Sequence, residues 1–205
     1  MVDGCVFTDM FGDGLHAGTI TGANGVINVT VKNSWFTNAA AVSNGGVLLT
    51  QYGGPANFTA DIDSNVFNDI MRPVSNLGAV STTNGDPDGG GPTANLTFRN
   101  NTLTNLVGSR GISGTFDTFS WPTTLVISKE AVTGTSTVVG GTVCLNISGN
   151  TVPGGGVGVI RITENAAPGA INVTQSQANV AALNNGATVT VTGTPQFSQP
   201  ACPTP

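Results

Sequence analysis

A single histidine and a few acidic and basic side chains are the residues that could carry catalysis in this chain. Asp13 and His16 are close together near the start of the sequence, and Asp69 and Arg72 form a second close pair. If the fold brings both pairs to one face, they could supply the acid and the base that hydrolysis of a glycosidic bond requires. The alternative is that His16 is an ordinary surface or turn histidine, and its isolation in the sequence favours this alternative.

The segment that begins at Asn84 has the spacing of a cation-binding loop. Asn84, Asp86 and Asp88 place oxygen ligands at alternate positions, and a glycine follows, as in loops that wrap around calcium. Asn95 stands where such a loop has a bidentate glutamate, and Pro87 stiffens the backbone. A weak calcium site therefore competes with a solvated turn, and these departures favour the turn.

Three aromatic residues are candidates for contact with sugar rings. Trp35 and Tyr52 lie in the first third of the chain, and Trp121 ends an aromatic segment that starts at Phe116. An exposed indole or phenol ring offers a flat apolar surface with a polar edge. The segment that contains Trp121 fits glycan binding or a partner contact, and it fits equally well as a lid folded over the core.

The three cysteines allow one disulfide and one free thiol. A bond between Cys144 and Cys202 would pin a proline-rich tail that would otherwise fray, and would leave Cys5 unpaired. The alternative is three small buried side chains. The disulfide would imply an oxidising compartment. One histidine and no closely spaced cysteine pair argue against zinc.

The composition predicts an all-β chain. Charged residues make up only 8% of the sequence and 29 residues are glycine, whereas about 25% of an average soluble protein is charged. Asn, Thr, Ser and Gly supply the polarity instead, and leucine, glutamate and lysine are too scarce for amphipathic helices. We expect no nucleic-acid partner, because the net charge is −5 and the six basic residues are dispersed. We expect no membrane span, because no apolar run is long enough.

A degenerate pattern, Asn-x-Thr followed by an Asn-rich turn and a large apolar residue, recurs along the chain. The apolar positions taken as equivalent are Phe7, Phe36, Phe67, Leu103, Val152 and Val180. Their unequal spacings lie in the range of solenoid repeats. Asparagine tolerates the left-handed backbone of a tight corner, and stacked asparagine side chains can hydrogen-bond to one another. The pattern predicts a right-handed parallel β-helix, a solenoid of about six irregular rungs.

This repeat also predicts how the chain is divided. Residues 1–143 would form rungs with long loops at 81–93 and 114–141, and residues 144–205 would form the C-terminal rungs and a capping tail. Met1 is followed by neither a basic nor an apolar segment, so no signal peptide is recognised. Because the pattern is already in mid-repeat at Asp3, we expect the mature part of an exported protein rather than a cytosolic one.

Two of the repeat copies carry a resemblance to a known family. Asn28-Val-Thr-Val-Lys-Asn-Ser-Trp-Phe-Thr-Asn38 and Asn95-Leu-Thr-Phe-Arg-Asn-Asn-Thr-Leu-Thr-Asn105 resemble copies in bacterial right-handed β-helix proteins of the pectin-lyase-like kind. The segment from Cys144 to Pro203 is similar to the C-terminal ends of large exported repeat proteins of bacterial surfaces. The resemblance implies the fold and an extracellular or cell-surface location. It implies activity less directly, because one fold can serve many functions.

Three hypotheses about function follow. The first is a non-catalytic exported module of a bacterial surface or adhesive protein, with carbohydrate, such as a polysaccharide, or another protein chain as its candidate partner. The second is a polysaccharide lyase or glycoside hydrolase of the pectin-lyase-like type, although the Gly-His-Gly and Arg-Ile-Lys signatures of its hydrolases are missing. The third is a filament subunit that associates with its own copies through open solenoid ends, since unpaired sheet edges favour such contacts.

Overall fold

The computed structural model describes residues 1–10, 14–18, 25–37, 46–52, 57–68, 74–75, 79–80, 93–104, 116–119, 124–129, 142–151, 159–164 and 171–205. Most of these residues lie in β-strands, and one helix is present among them. The elements in chain order are β1 (Val2–Asp3), β2 (Val6–Thr8), β3 (Leu15–Gly18), β4 (Val26–Lys32), β5 (Trp35–Thr37), β6 (Val47–Tyr52), β7 (Asn57–Asp63), β8 (Val66–Asn68), β9 (Val74–Ser75), β10 (Ala79–Val80), β11 (Thr93–Arg99), β12 (Thr102–Thr104), β13 (Phe116–Phe119), β14 (Thr124–Lys129), β15 (Thr142–Ser148), β16 (Val159–Glu164), β17 (Ile171–Val173), α1 (Gln177–Leu183) and β18 (Thr188–Thr192). The predicted all-β character is confirmed apart from α1.

The strands form three sheets, which are predominantly parallel. The six-stranded sheet has the order β1-β4-β7-β11-β15-β17, and the four-stranded sheet has the order β12-β8-β5-β2. All the pairs within these two sheets are parallel. A third, mixed sheet contains β3, β6, β9, β10, β13, β14, β16 and β18. Along the chain, a strand of the six-stranded sheet is followed four times by a strand of the four-stranded sheet. The parallel sheets agree with the parallel strand pairing that the sequence predicted.

The core lies between the sheets and is built from columns of residues in register. In the six-stranded sheet one column contains Val31, Ile62, Phe98 and Ile147, and another contains Val29, Ala60, Leu96, Leu145 and Val173. All of these side chains are buried, because alternate residues of a strand point to the same face. In the four-stranded sheet Phe7, Phe36, Phe67 and Leu103 are in register, as their predicted equivalence requires, and Val152 lies outside the described residues. The rings of Phe7, Phe36 and Phe67 stack with centroids 4.7 and 5.0 Å apart.

The turn between the two parallel sheets uses two consecutive residues for two different purposes. The first has a left-handed backbone and is Gly4, Asn33, Ser64, Asn100 or Gly149. The second is Cys5, Ser34, Asn65, Asn101 or Asn150, and all of these except the exposed Cys5 are buried. Asn184, the C-cap of α1, is buried and bonded to Asn150. We call Ser34, Asn65, Asn101, Asn150 and Asn184 the asparagine ladder. At Gly149 a Cβ atom would collide with Oδ1 of Asn100, so any other residue there would require the Asn100 side chain to move. The expected asparagine-rich turns are therefore present, but left-handed conformation and stacking are assigned to separate residues.

The side chains of Asn101, Asn150 and Asn184 in the ladder each accept two hydrogen bonds and donate two. Oδ1 of Asn101 accepts from the backbone N–H of Asn65 at 2.9 Å and from its Nδ2 at 3.1 Å. Nδ2 of Asn101 donates to the backbone carbonyl of Ile62 at 2.9 Å and to Oδ1 of Asn150 at 3.1 Å. Asn150 repeats this arrangement with Asn184 as its acceptor. The ladder therefore connects successive parallel strands through buried side chains as well as through backbone bonds.

Two segments depart from the sequence prediction. Val180, expected on a strand, is a buried residue of α1. Ser176 caps this helix by accepting a hydrogen bond from the N–H of Asn179 at 3.2 Å, and the alanine-rich sequence that follows favours a helix. Within 114–141, expected to be a loop, β13 and β14 pair antiparallel. The segment Thr124–Lys129 is rich in β-branched residues, but it lies outside the repeat pattern on which the prediction was based.

Cys144 and Cys202 form a disulfide with a Cα–Cα distance of 5.5 Å, the pairing that the sequence favoured. Cys5, the remaining cysteine, is free and exposed. Cys144 lies on β15, and Cys202 belongs to the final segment after β18. Within the described ranges, no helix is long and apolar enough to cross a membrane.

Candidate functional site

The outer face of the four-stranded sheet carries an exposed tryptophan. Because Phe36 and Phe67 point into the core, the residues before and after them on β5 and β8 point outward. Trp35 is 57% exposed, and its neighbour in register, Val6, is 67% exposed. We call this surface the Trp35 face and define it by Val6, Thr8, Trp35, Thr37, Val66, Asn68 and Thr102. It is a flat surface with one large aromatic ring.

The polar groups of the Trp35 face are hydroxyls and an amide. Nδ2 of Asn68 donates to Oγ1 of Thr37 at 3.3 Å. The hydroxyls of Thr102 and Thr151 are 3.4 Å apart at the far end of the same sheet. None of the residues that define the face is charged. The surface can therefore offer neutral hydrogen-bonding groups beside an apolar ring, and it has no ion-pairing group of its own.

The outer face of the six-stranded sheet is different, because it carries a cluster of charges. Nη2 of Arg99 lies 3.0 Å from Oδ2 of Asp61 and 3.1 Å from Oδ2 of Asp63. The side chain of Arg99 is 40% exposed, whereas those of Asp61 and Asp63 are 13% and 20% exposed. One guanidinium nitrogen thus joins two carboxylates that are two residues apart on β7.

Some polar atoms near this cluster have no hydrogen-bond partner. Oδ1 of Asp61, Oγ1 of Thr97 and Nε of Arg99 are buried and unpaired. Thr97 lies in register with Asp61 on the adjacent strand. The signal for the cluster was present in the sequence, since Asp61, Asp63 and Arg99 fall in aligned repeat copies. The sequence does not show that they meet, because that depends on the register between β7 and β11.

The predicted catalytic residues are only partly within the described structure. His16 lies on β3, is exposed, and is in register with Leu48 of β6. Asp13, Asp69 and Arg72 lie outside the described residues. The proposed grouping of these four side chains on one face stays a prediction.

The other predicted ligand-binding residues are also only partly within the described structure. Trp35 is exposed as described above, and Tyr52 is the last residue of β6. Trp121 and the candidate calcium ligands Asn84, Asp86 and Asp88 lie outside the described residues. In the part of the chain that the structure does describe, no group of three or more His, Cys, Asp or Glu side chains could hold a metal ion.

No protein-family model, curated protein or solved structure matches this chain. The geometry of the two outer faces is therefore the basis for a functional proposal.

Proposed function

We propose that this chain is an exported, non-catalytic module with a right-handed parallel β-helix fold, and that it binds carbohydrate on the Trp35 face. The observation that carries the proposal is the exposed indole of Trp35 on a flat, uncharged sheet surface. A soluble protein gains nothing in stability from leaving so large an apolar ring in water, and exposed apolar surface often marks a binding site.

The solenoid part of the proposal is supported by the parallel register of successive strands. A left-handed residue followed by a buried ladder residue comes directly after β4, β7, β11 and β15. The ladder hydrogen bonds link residues that are 31 to 49 positions apart from Ser34 to Asn150. Stacking of similar turns at such separations is what a coil with one turn per copy requires.

The chemistry of the Trp35 face favours a neutral glycan. The apolar face of a sugar ring can stack on the indole, while its hydroxyls exchange hydrogen bonds with groups such as those of Thr37 and Asn68. An acidic polysaccharide would bring carboxylates to a surface with no cation among its defining residues. We therefore propose a neutral polysaccharide as the ligand class.

The disulfide and the repeat resemblance support the proposed location. Disulfides persist mainly in oxidising compartments, and Cys144–Cys202 is present here. Together with the resemblance to exported repeat proteins of bacterial surfaces, this favours an extracellular or cell-surface module with an adhesive role.

The test is a binding measurement with a panel of neutral and acidic polysaccharides, followed by calorimetry and tryptophan fluorescence. We expect the wild-type chain to bind a neutral polysaccharide, and Trp35→Ala to weaken that binding by about tenfold or more, because one stacking contact is lost. Trp35→Phe keeps an aromatic ring and should retain part of the affinity.

Leu183→Ala is the matched control, since Leu183 is 48% exposed but lies on α1. Unchanged binding in Trp35→Ala would contradict the proposal. So would selective binding of acidic polysaccharides, with or without calcium.

Polysaccharide cleavage is the second candidate function, and the Asp61–Asp63–Arg99 cluster is the observation that favours it. Glycoside hydrolysis uses two carboxyl groups, and Oδ2 atoms of Asp61 and Asp63 both lie within 3.1 Å of one nitrogen. Both carboxylates are paired with Arg99, however, and such ion pairs could equally serve only to stabilise the sheet. Release of reducing ends from the same polysaccharide panel, lost in Asp61→Asn, would support the enzyme over the binding module.

A further inference from the structure

The C-terminal tail adds a strand-like segment to the edge of the six-stranded sheet. The N–H of Val173 donates to the carbonyl of Gln196 at 2.7 Å, and the N–H of Gln199 donates to the carbonyl of Val173 at 3.0 Å. The N–H of Ser198 donates to the carbonyl of Gln175 at 3.1 Å. Asn172 and Gln196 form a parallel bridge. The tail therefore occupies the next strand position beyond β17.

Side chains hold the tail in this position as well. Phe197 packs against the core cluster. Cys202 is 8% exposed and is bonded to Cys144 on β15, the strand next to β17. An apolar anchor, three backbone hydrogen bonds and a disulfide thus act on a single short segment.

These contacts do not require that the tail and the sheet belong to the same molecule. The partners of the tail named above lie on β15, β17 and the segment just after β17, and a second copy of the chain presents the same groups. The connection from β18 to Gln196 is only three residues long, from Gly193 to Pro195. Short connections of this kind favour the exchange of a terminal segment between identical chains, and exchange preserves every contact at little cost.

We propose that the edge of β17, together with Cys144, is a strand-acceptor site whose partner is the tail of a second copy of this chain. Reciprocal exchange gives a closed dimer in which each tail pairs with the other copy and each Cys202 bonds to the other copy's Cys144. An edge strand is a template for pairing with another chain. Because exchange fills both acceptor edges, it limits the assembly to two copies and does not lead to a filament.

The first test measures whether a tail supplied in trans is recognised. The protein is the full chain with Cys5→Ser, Phe197→Ser and Cys202→Ser, so that its own tail is weakened and Cys144 is its only thiol. The probe is a peptide of residues Thr194–Pro205 whose Cys202 sulfur is bonded to thionitrobenzoate. The thiolate of Cys144 attacks that sulfur, the bond to thionitrobenzoate breaks, thionitrobenzoate leaves as a thiolate, and the thiol proton passes to solvent.

The expected result is a reaction rate that saturates with peptide concentration. At low concentration it should be at least about tenfold faster than with a peptide carrying Phe197→Ser, because prior binding raises the effective concentration of the reacting sulfur. Equal rates with the two peptides, rising linearly, would overturn the proposal. Circular dichroism and thermal unfolding verify that the triple variant is folded. In a variant that keeps Phe197, labelling should be slower, because the protein's own tail then competes with the peptide for the same edge.

The second test uses the otherwise native chain with Cys5→Ser. The disulfide is opened with a dithiol and closed again with oxidised glutathione over a range of protein concentrations. Each closure converts two protein thiols and one oxidised glutathione into one protein disulfide and two reduced glutathione molecules. We expect a dimer fraction that grows with concentration, and mass spectrometry of mixed light- and heavy-isotope chains should find Cys144–Cys202 links between copies. Monomers with only intramolecular links, or polymers of open-ended size, would refute the closed dimer.

Discussion

The asparagine ladder and the Trp35 face are one residue apart in the chain, but they have opposite environments. Ser34, Asn65, Asn101 and Asn150 are buried, and each is followed directly by an outward residue: Trp35, Val66, Thr102 and Thr151. The ladder positions are nearly all asparagine, because each must fill two backbone hydrogen bonds and contact the next ladder residue. The outward positions vary among valine, tryptophan and threonine. Stability therefore depends on the buried column, which is the ladder, and a specific function can reside in the column of outward residues that follow it in the chain.

The outer face of the six-stranded sheet is intermediate between these two columns. Its charged side chains are exposed in part, but Arg99 connects Asp61 and Asp63 into one cluster. This face also carries Cys144, through which the tail is attached. Four substitutions, taken from the most buried position to the most exposed, test whether the number of partners determines the effect on stability.

The largest effect is expected for Asn101→Leu. This change leaves the N–H of Asn65 and the carbonyl of Ile62 buried without their partners, and each unsatisfied group costs about 1–3 kcal/mol. We expect a loss of about 4 kcal/mol in the free energy of unfolding, measured by denaturant titration. Thr102→Val is the matched control on the next residue and should change the stability by less than about 0.5 kcal/mol. Similar losses for both variants would contradict the contrast between the two columns.

The second largest effect is expected for Cys202→Ser. The disulfide closes a loop with a sequence separation of 58 residues. Removing a disulfide that closes a loop of this size costs up to about 4 kcal/mol of stability in the chain-entropy model. We expect a loss of about 3 kcal/mol in unfolding free energy under non-reducing conditions. Adding a reductant should lower the stability of the wild type to that of the variant. A variant as stable as the oxidised wild type would show that the disulfide contributes little to the stability of the fold.

Arg99→Met should have a smaller effect. It removes the contacts to Asp61 and Asp63 and leaves two carboxylates close to each other, but the arginine is 40% exposed and its charge is screened by solvent. We expect a loss of about 1 kcal/mol. The difference from wild type should shrink when unfolding is repeated at high salt, since exposed charges are screened by ions. A difference that does not depend on salt would assign the role of Arg99 to packing of its aliphatic part.

The smallest effect on stability is expected for Trp35→Ala. Because Trp35 is 57% exposed, its removal should change the free energy of unfolding by less than about 0.5 kcal/mol. Thermal unfolding beside the binding assay proposed above separates the two roles. If Trp35→Ala loses stability as Asn101→Leu does, the indole supports the fold and the comparison between the two columns fails.

Much of the fold followed from local patterns. The alternation of apolar residues in copies such as 28–38 and 95–105 predicted parallel strands, and the in-register column of Phe7, Phe36 and Phe67 agrees. The Cys144–Cys202 pair was also favoured by the sequence, because a proline-rich tail has few other means of attachment. These features depend on short segments whose pattern is visible in the order of residues.

Other features required the tertiary structure. The repeat placed Val180 on a strand, but the cap at Ser176 and the alanines after it form a helix that still brings Val180 into the core. The cluster of Asp61, Asp63 and Arg99 depends on the register between β7 and β11, which the unequal loop lengths leave open.

The sequence by itself determined which residues alternate and which turns can be left-handed, and it favoured the pairing of Cys144 with Cys202. Only the tertiary structure decided which member of each turn is buried in the ladder and which outward residue remains exposed. The physical reason is that a side chain becomes an inner or outer one through contacts with strands 30 or more positions away, as in the bond from Ser34 to Asn65, which spans 31 residues. The exposure of Trp35, and with it the proposed function, results from those distant contacts.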